Sequence, residues 1–128
     1  MRYLVDAHTL LWYVLNDQRL SATARALILD ATNEIVVSPV SYWEIAIKVS
    51  IGKLLLHQPY EDFIDLCLHR YGFTTLPITP EHTAAVIALP FYHKDPFDRL
   101  LVAQALVEQM PLLSADPVLD AYPITRIW

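Results

Sequence analysis

The chain opens on Arg2-Tyr3-Leu4-Val5-Asp6, a short apolar run that ends on a carboxylate. Residues 8–15 then repeat apolar side chains three and four positions apart, which predicts a helix directly after the strand. A buried strand that leads into a helix is the first half of a parallel α/β unit. Ligands bind beyond the carboxyl ends of the strands in such sheets, so Asp6 falls where a functional group is expected.

The alternation of strand and helix continues to the end of the chain. Further strands are predicted at residues 34–38, 73–78, 112–114 and 124–127. Further helices are predicted at about residues 22–31, 41–51, 59–71, 79–89 and 95–109, with a short helical turn from residue 116. Pro39 is expected to stop the second strand, and Ser41 with Glu44 to form a capping box that opens the next helix. This order predicts an α/β fold, a three-layer sandwich with a mainly parallel central sheet flanked by helices.

The length and composition of the chain limit its number of domains and the class of protein to which it can belong. The 128 residues are enough for one domain with one core, spanning residues 1–128. The chain is 55% hydrophobic, yet no apolar run approaches the roughly 18 residues of a membrane span, so we expect the excess apolar surface to meet another protein. A single cysteine, Cys67, and the lack of a signal peptide predict a cytoplasmic protein with no membrane partner.

Four acids stand at predicted strand ends or helix starts: Asp6, Glu44, Asp98 and Asp116. Carboxylates that converge repel one another unless a cation lies between them, and Mg²⁺ and Mn²⁺ prefer oxygen ligands. A metal held this way at the edge of a small α/β domain indicates hydrolysis of phosphodiesters. The net charge of −5 disfavours simple electrostatic binding of nucleic acid, but the four acids account for most of it.

Each of these acids also has an ordinary structural interpretation. Glu44 would complete the capping box, and Asp98 and Asp116 stand where residues cap helices. Asp6 has the weakest structural alternative, because it closes a strand. The case for a common site therefore rests on the convergence of all four at one edge of the sheet.

Four neighbours are candidates for supporting roles. Thr9 and Ser114 could orient a metal-bound water, although hydroxyls near strand ends more often satisfy the backbone. Asp95 lies one helical turn before Asp98 and could join the site. Arg99, with Lys48, Lys53 and Lys94, is close to the acids in sequence and could meet the phosphates of a substrate.

Other hydrolytic chemistries lack their residues. A phosphatase with an aspartate nucleophile would carry a second Asp two positions after Asp6, where this chain has His8. Only Gly52 and Gly72 are present, so no phosphate-binding glycine loop exists. The histidines and Cys67 do not have the spacing of a zinc site, and no nucleophile elbow carries a serine.

Four segments of the chain together resemble the PIN-domain ribonucleases, and among these the VapC-type toxins of toxin–antitoxin pairs. They are Leu4 to Trp12, Ser38 to Lys48, His93 to Ala105 and Leu112 to Asp116. The resemblance spans the whole chain and implies a PIN-like sandwich with an acidic pocket for Mg²⁺ or Mn²⁺. The family's four acids fall on Asp6, Glu44, Asp98 and Asp116. Many relatives have Thr where this chain has Ser114, which keeps the hydroxyl.

The resemblance implies a metal-dependent endoribonuclease that hydrolyses RNA with metal-activated water, as the toxin of a toxin–antitoxin pair. It also implies a homodimer and a protein antitoxin that covers the acidic site. Candidate contact residues are aromatic: Trp12, Tyr42, Trp43, Phe91 and Tyr92. Two other interpretations stay open, a PIN-like module that binds RNA or protein with little catalysis, and a nuclease of RNA processing that is not a toxin.

Overall fold

The computed structural model describes residues 1–128 and has five strands interleaved with six α-helices. The strands are β1 (Arg2–Val5), β2 (Glu34–Val37), β3 (Thr74–Thr75), β4 (Leu112–Leu113) and β5 (Arg126–Ile127). The helices are α1 (Ala7–Val14), α2 (Ala22–Leu29), α3 (Pro39–Ser50), α4 (Tyr60–Asp65), α5 (Pro80–Ile87) and α6 (Pro96–Glu108). A π-helical turn (Leu66–Arg70) extends α4, and a 3₁₀ helix (Pro117–Ala121) follows β4.

All five strands are parallel and lie in the order β3-β2-β1-β4-β5. In the centre, Leu4 is in register with Val36 of β2 and with Leu112 of β4. The chain therefore leaves β1 toward one side of the sheet and later returns on the other, which makes the carboxyl end of β1 a topological switch point. Asp6 and Asp116 follow these neighbouring strands, β1 and β4.

Two apolar cores lie on opposite faces of the sheet, because side chains alternate along each strand. Val5, Val37 and Leu113 face a core shared with α1, α3 and α4. Leu4 and Val36 face a second core built with α6. The predicted three-layer α/β sandwich with a parallel central sheet is confirmed.

The predicted capping box at Ser41 and Glu44 is wrong. Helix α3 begins at Pro39, and the Ser38 hydroxyl accepts a hydrogen bond from the Val40 N–H at 3.2 Å as the N-cap. Proline suits the first turn of a helix because its φ is already helical and its missing N–H would have had no partner there. Pro39 thus ends the strand by starting the helix, and Glu44 lies in the second turn without a capping role.

Other boundaries also differ from the prediction: β5 is only Arg126–Ile127, and α2 ends at Leu29. The strand expected at residues 73–78 is reduced to Thr74–Thr75, since Pro77 offers no N–H to extend the ladder. The helix expected at residues 59–71 is an α-helix that continues as the π-helical turn, and Gly72 ends it with φ +69°. No helix combines the length and apolar character needed to cross a membrane.

Candidate metal centre

Carboxylates from four parts of the chain meet beyond the carboxyl ends of β1 and β4. Asp6 and Asp116 follow these two strands, Asp98 lies in the first turn of α6, and Glu44 lies on α3. Asp6 and Glu44 are close enough to Asp98 to raise the pKa of its carboxyl. The four acids named from the sequence therefore lie at one edge of the sheet.

Asp6 is held by one oxygen and leaves the other free. Its Oδ1 accepts hydrogen bonds from the Thr9 N–H at 2.9 Å and the Thr9 hydroxyl at 2.7 Å, which caps α1. The Thr9 hydroxyl also lies 3.0 Å from the carbonyl of Leu113 at the end of β4. Thr9 thus fixes Asp6 against the neighbouring strand, and Oδ2 of Asp6 remains available for a ligand.

Glu44 is buried on the face of α3 that is turned toward α6. Its Oε2 accepts a hydrogen bond from the Lys48 ammonium one turn later, at 2.9 Å. The ion pair offsets part of the charge that Glu44 brings to the cluster.

Asp95 and Asp98 divide the start of α6 between them. Oδ1 of Asp95 accepts from the N–H groups of Phe97 at 2.8 Å and Asp98 at 3.4 Å, so Asp95 is the N-cap. This leaves the Asp98 side chain without a capping role. Asp95 still contributes its charge to the site, since it raises the pKa of Asp98.

Asp98 carries the strongest electrostatic signal of the cluster. The pKa of its carboxyl is raised from 3.8 to about 7, mainly by burial and further by the charges of Asp95, Asp6 and Glu44, against an opposing effect of His93. The ionised form is therefore disfavoured by desolvation and by three like charges. A divalent cation bound among these oxygens would remove both penalties, and an all-oxygen donor set suits Mg²⁺ or Mn²⁺.

Asp116 is the most exposed of the four acids. Its Oδ1 accepts from the Val118 N–H at 3.0 Å and caps the 3₁₀ helix, while its own N–H donates to the Ser114 hydroxyl at 3.2 Å. Ser114 is fully buried, and its carbonyl accepts from Arg126 at 3.0 Å. The Ser114 hydroxyl therefore positions the backbone of Asp116.

His93 belongs to the cluster, and sequence reasoning missed it. Its Nε2 lies 2.8 Å from Oδ2 of Asp116 and 3.2 Å from Oδ2 of Asp98. One ligand atom from each of these three side chains lies within 4.8 Å of the other two. The spacing of the histidines bears only on a zinc site, and no local sequence pattern predicts a contact between His93 and Asp116, which lie 23 positions apart.

Arg99 is directed away from the carboxylates, contrary to the expectation of a phosphate contact. Its guanidinium is buried and donates to the carbonyls of Pro90 at 3.0 Å and Leu89 at 3.2 Å, and also to that of Val86 at 3.3 Å. It lies over the ring of Phe91, 4.0 Å from the centroid. Arg99 thus holds the loop at residues 89–93 to the end of α5.

Two clefts adjoin at the site. The acidic cleft has a volume of about 250 Å³ and is lined by Glu44, Asp95, Asp98 and Phe97 together with His8, Lys48 and Lys53. The apolar cleft, of about 370 Å³, is lined by Leu11, Trp12, Leu15 and Leu54, with Arg19 and the same three residues His8, Lys48 and Lys53. A chain bound in the apolar cleft would therefore reach the carboxylates.

Comparisons with known proteins agree with this architecture. Residues 3–124 match the model of the PIN domain. Ribonuclease VapC22 of Mycobacterium tuberculosis is 30% identical over 98% of this chain and 97% of its own length. Ribonuclease VapC16 of the same organism is 37% identical over 52% of this chain and 50% of its own. VapBC2 from Rickettsia felis, solved with a DNA fragment from the promoter of the pair, superposes with a TM-score of 0.74 at 14% identity, covering 100% of this chain and 99% of the other.

The family match covers all four acids and, of the five strands, all but the last, and the similarity to VapC22 extends over nearly the whole chain. The protein therefore belongs to the PIN-domain family and is similar to the VapC ribonucleases.

Proposed function

We propose that the protein is a Mg²⁺- or Mn²⁺-dependent endoribonuclease and the toxin of a toxin–antitoxin pair. The main support is the environment of Asp98, a largely buried carboxylate that lies near three other acids and whose pKa is raised to about 7. Ionising a carboxyl group in this environment costs free energy unless a cation binds to it, and carboxyl groups with such raised pKa values are common at functional sites. The name of VapC22, a ribonuclease, supports RNA as the substrate.

Asp6, Asp98 and Asp116 would hold the cation, with Glu44 as a further ligand directly or through water. A divalent cation supplies Lewis acidity toward a phosphoryl oxygen and lowers the pKa of a water molecule bound to it. Asp98 would have to lose its proton to bind the cation, and Thr9 donates only to Oδ1 of Asp6, so Oδ2 of Asp6 would be free to bind it. Ser114 acts through the backbone of Asp116.

The substrate would approach along the acidic cleft. Lys53 is exposed on its rim and makes no ion pair, and Lys48 reaches the same cleft from α3. Trp43 is 61% exposed and packs edge-on against Phe97, with ring centroids 5.3 Å apart. Cations beside an exposed aromatic ring suit a single-stranded RNA, whose phosphates and unstacked bases they would meet.

The antitoxin would occupy the apolar cleft and extend into the acidic one. The solved VapBC2 structure supports a paired protein for this chain. Trp12 lines the apolar cleft and Trp43 is exposed near the acids, whereas Tyr42 is buried, which fits packing in the core better than partner contact. Phe91, Tyr92 and Ile87 are exposed together around the end of α5 and form a candidate surface for a homodimer in the cytoplasm.

Cleavage of total RNA by the purified protein tests the enzymatic part. We expect discrete fragments in Mg²⁺ or Mn²⁺ that disappear in EDTA and with Asp98→Asn, and that persist with the exposed-acid control Asp62→Asn. The new ends should lack a 2′,3′-cyclic phosphate, since water rather than the 2′-hydroxyl attacks. Intact RNA that the protein nevertheless binds would favour the module with little catalysis.

Expression in growing cells tests the toxin assignment separately. The wild-type protein should arrest growth, and Asp98→Asn should not. Metal-dependent cleavage in vitro without growth arrest would favour a nuclease of RNA processing. Light scattering of the isolated chain tests the dimer, and a monomer at micromolar concentration would contradict it.

A further inference from the structure

His93 lies between two of the carboxylates, and its ring is held from both sides. Nε2 is 2.8 Å from Oδ2 of Asp116 and 3.2 Å from Oδ2 of Asp98. Across the ring, Nδ1 lies 3.1 Å from the backbone nitrogen of Asp95. One side chain therefore links both carboxylates to the start of α6.

The backbone contact determines the tautomer of the ring. The Asp95 N–H can only donate, so Nδ1 accepts and the proton of the neutral ring is on Nε2. The Nε2–H group then donates to Oδ2 of Asp116, and Oδ2 of Asp98 lies 3.2 Å from the same nitrogen. A nitrogen that carries this proton has no lone pair for a cation, so the ring in this orientation is not a metal ligand.

Two buried side chains fix the backbone of His93. The Tyr122 hydroxyl accepts from the His93 N–H at 3.0 Å and donates to the Pro90 carbonyl at 2.6 Å. Arg99 donates to the His93 carbonyl at 3.4 Å. The ring can therefore move away from the carboxylates only by rotating about its own side-chain bonds. The side chain is 16% exposed, so this rotation can carry the ring toward solvent.

We propose that His93 is a displaceable donor, whose ring nitrogen, hydrogen-bonded to Asp116 and close to Asp98, excludes a divalent cation bound by the same two carboxylates. The inference rests on the proposed function, because it requires these carboxylates to take a cation. His93 Nε2 lies 2.8 Å and 3.2 Å from the Oδ2 atoms of Asp116 and Asp98, so it occupies the space in which a cation shared by these two oxygens would bind, while Oδ1 of Asp116 accepts from Val118. Releasing Val118 would unwind a helix cap, whereas releasing His93 requires only rotation of the ring.

The consequence is that His93 holds two like-charged groups together and lowers the affinity of the site for the cation. It acts as a positioning residue toward the carboxylates. A histidine ligand would have the opposite effect on affinity, because its removal would take one bond from the cation. The direction of the change in affinity therefore separates the two roles.

Calorimetric titration of Mn²⁺ and of Mg²⁺ tests the proposal on the full chain. The variants are His93→Ala, His93→Gln and the control His57→Ala, which removes an exposed ring. We expect His93→Ala to bind Mn²⁺ roughly tenfold tighter than the wild type, equivalent to about 1.4 kcal/mol, as for loss of one competing hydrogen bond to a charged group. His93→Gln should fall between the two because its amide can still donate, and His57→Ala should match the wild type.

Two further measurements test the proposal without depending on catalytic activity. Thermal unfolding in EDTA should place the midpoint of His93→Ala below that of the wild type, since the carboxylates then repel without a bridge, and saturating Mn²⁺ should close the gap. Long-range ¹H–¹⁵N spectra of the wild type in EDTA should report the proton of His93 on Nε2, and saturating Mg²⁺ should shift these signals.

Weaker Mn²⁺ binding by His93→Ala would make the ring a ligand and overturn the proposal. Unchanged affinity with a lower midpoint in both EDTA and Mn²⁺ would make the residue purely structural and overturn it as well. A wild-type protein that binds neither cation would instead contradict the proposed metal-dependent function, so the two failures are distinguishable.

Discussion

Replacing Asp98 with Asn should stabilise the protein at neutral pH when no cation is present. The carboxyl of Asp98 has a pKa of about 7 in the folded protein, against an ordinary value of 3.8, mainly because of burial and then because of Asp95 and Asp6. The folded protein thus holds the proton more tightly than the unfolded chain does. The stability that this group contributes is complete below about pH 4 and is lost as the pH rises through 7.

The size of the effect follows from the two pKa values. A rise from 3.8 to about 7 corresponds to roughly 4 kcal/mol between the protonated and ionised forms. Asn is itself a largely buried polar group, so we expect a net gain of about 2 kcal/mol at pH 8. For a chain of this length, that gain raises the unfolding midpoint by roughly 5–10 °C.

Calorimetric or urea unfolding in EDTA at pH 4, 6 and 8 measures this directly. Asp98→Asn and the wild type should have nearly the same free energy of unfolding at pH 4. The free energy of unfolding of the variant should exceed that of the wild type by a growing amount up to pH 8. Saturating Mg²⁺ should reverse the order, because the cation binds and stabilises only the wild type. The matched control Asp62→Asn should follow the wild type throughout. An Asp98→Asn protein that is no more stable than the wild type at pH 8 in EDTA would refute the electrostatic reasoning.

Three further substitutions separate the site from its scaffold. Asp6→Asn keeps an acceptor for Thr9, so we expect an unfolding midpoint within a few degrees of the wild type (about 1 kcal/mol) and a cleavage rate at least roughly 100-fold lower; substantial cleavage would remove Asp6 from the ligands. Thr9→Val deletes the hydroxyl between Asp6 and Leu113 and should cost about 1–3 kcal/mol in urea unfolding, with Thr9→Ser restoring most of it; equal stability of the Val variant would contradict the contact. Arg99→Met leaves the carbonyls of the loop at residues 89–93 without a donor and should cost roughly 3 kcal/mol, and Arg99→Lys should recover only part because its ammonium cannot reach them all; a loss of cleavage without a loss of stability would instead favour a phosphate contact.

The central part of the fold was predictable from local pattern. The apolar runs at Leu4–Val5 and Val36–Val37 are each followed by a segment of helical periodicity, which indicates the element types and a parallel sheet. The position of Asp6 at a strand end follows from the same pattern. That β1 and β4 are neighbours could be inferred only conditionally, because the pairing joins residues more than 100 positions apart.

Errors arose where one residue had two possible local roles. Pro39 ends a strand and also suits the first turn of a helix, and the sequence alone did not show that Ser38 is the cap. Pro77 has no N–H to extend the ladder, so β3 ends before it, although the run at residues 73–78 predicted a longer strand. Both errors moved a boundary by a few residues and left the topology intact.

The site was predictable in its acids and not in their neighbours. Arg99 follows Asp98 directly, but consecutive residues on a helix point about 100° apart, so adjacency in sequence did not bring it to the site. His93 contacts Asp116 across 23 positions and depends on the loop that Arg99 and Tyr122 hold. Contacts of this kind follow from tertiary structure and have no local sequence pattern.

The most direct test of the central claim is a crystal structure grown with Mn²⁺ and recorded with anomalous scattering. We predict one or two strong peaks coordinated by Asp6, Asp98 and Asp116, with the His93 ring rotated away from Asp116. If crystals grown in saturating Mn²⁺ show no peak among these carboxylates, or show the peak coordinated by other residues, this edge of the sheet is not the metal centre.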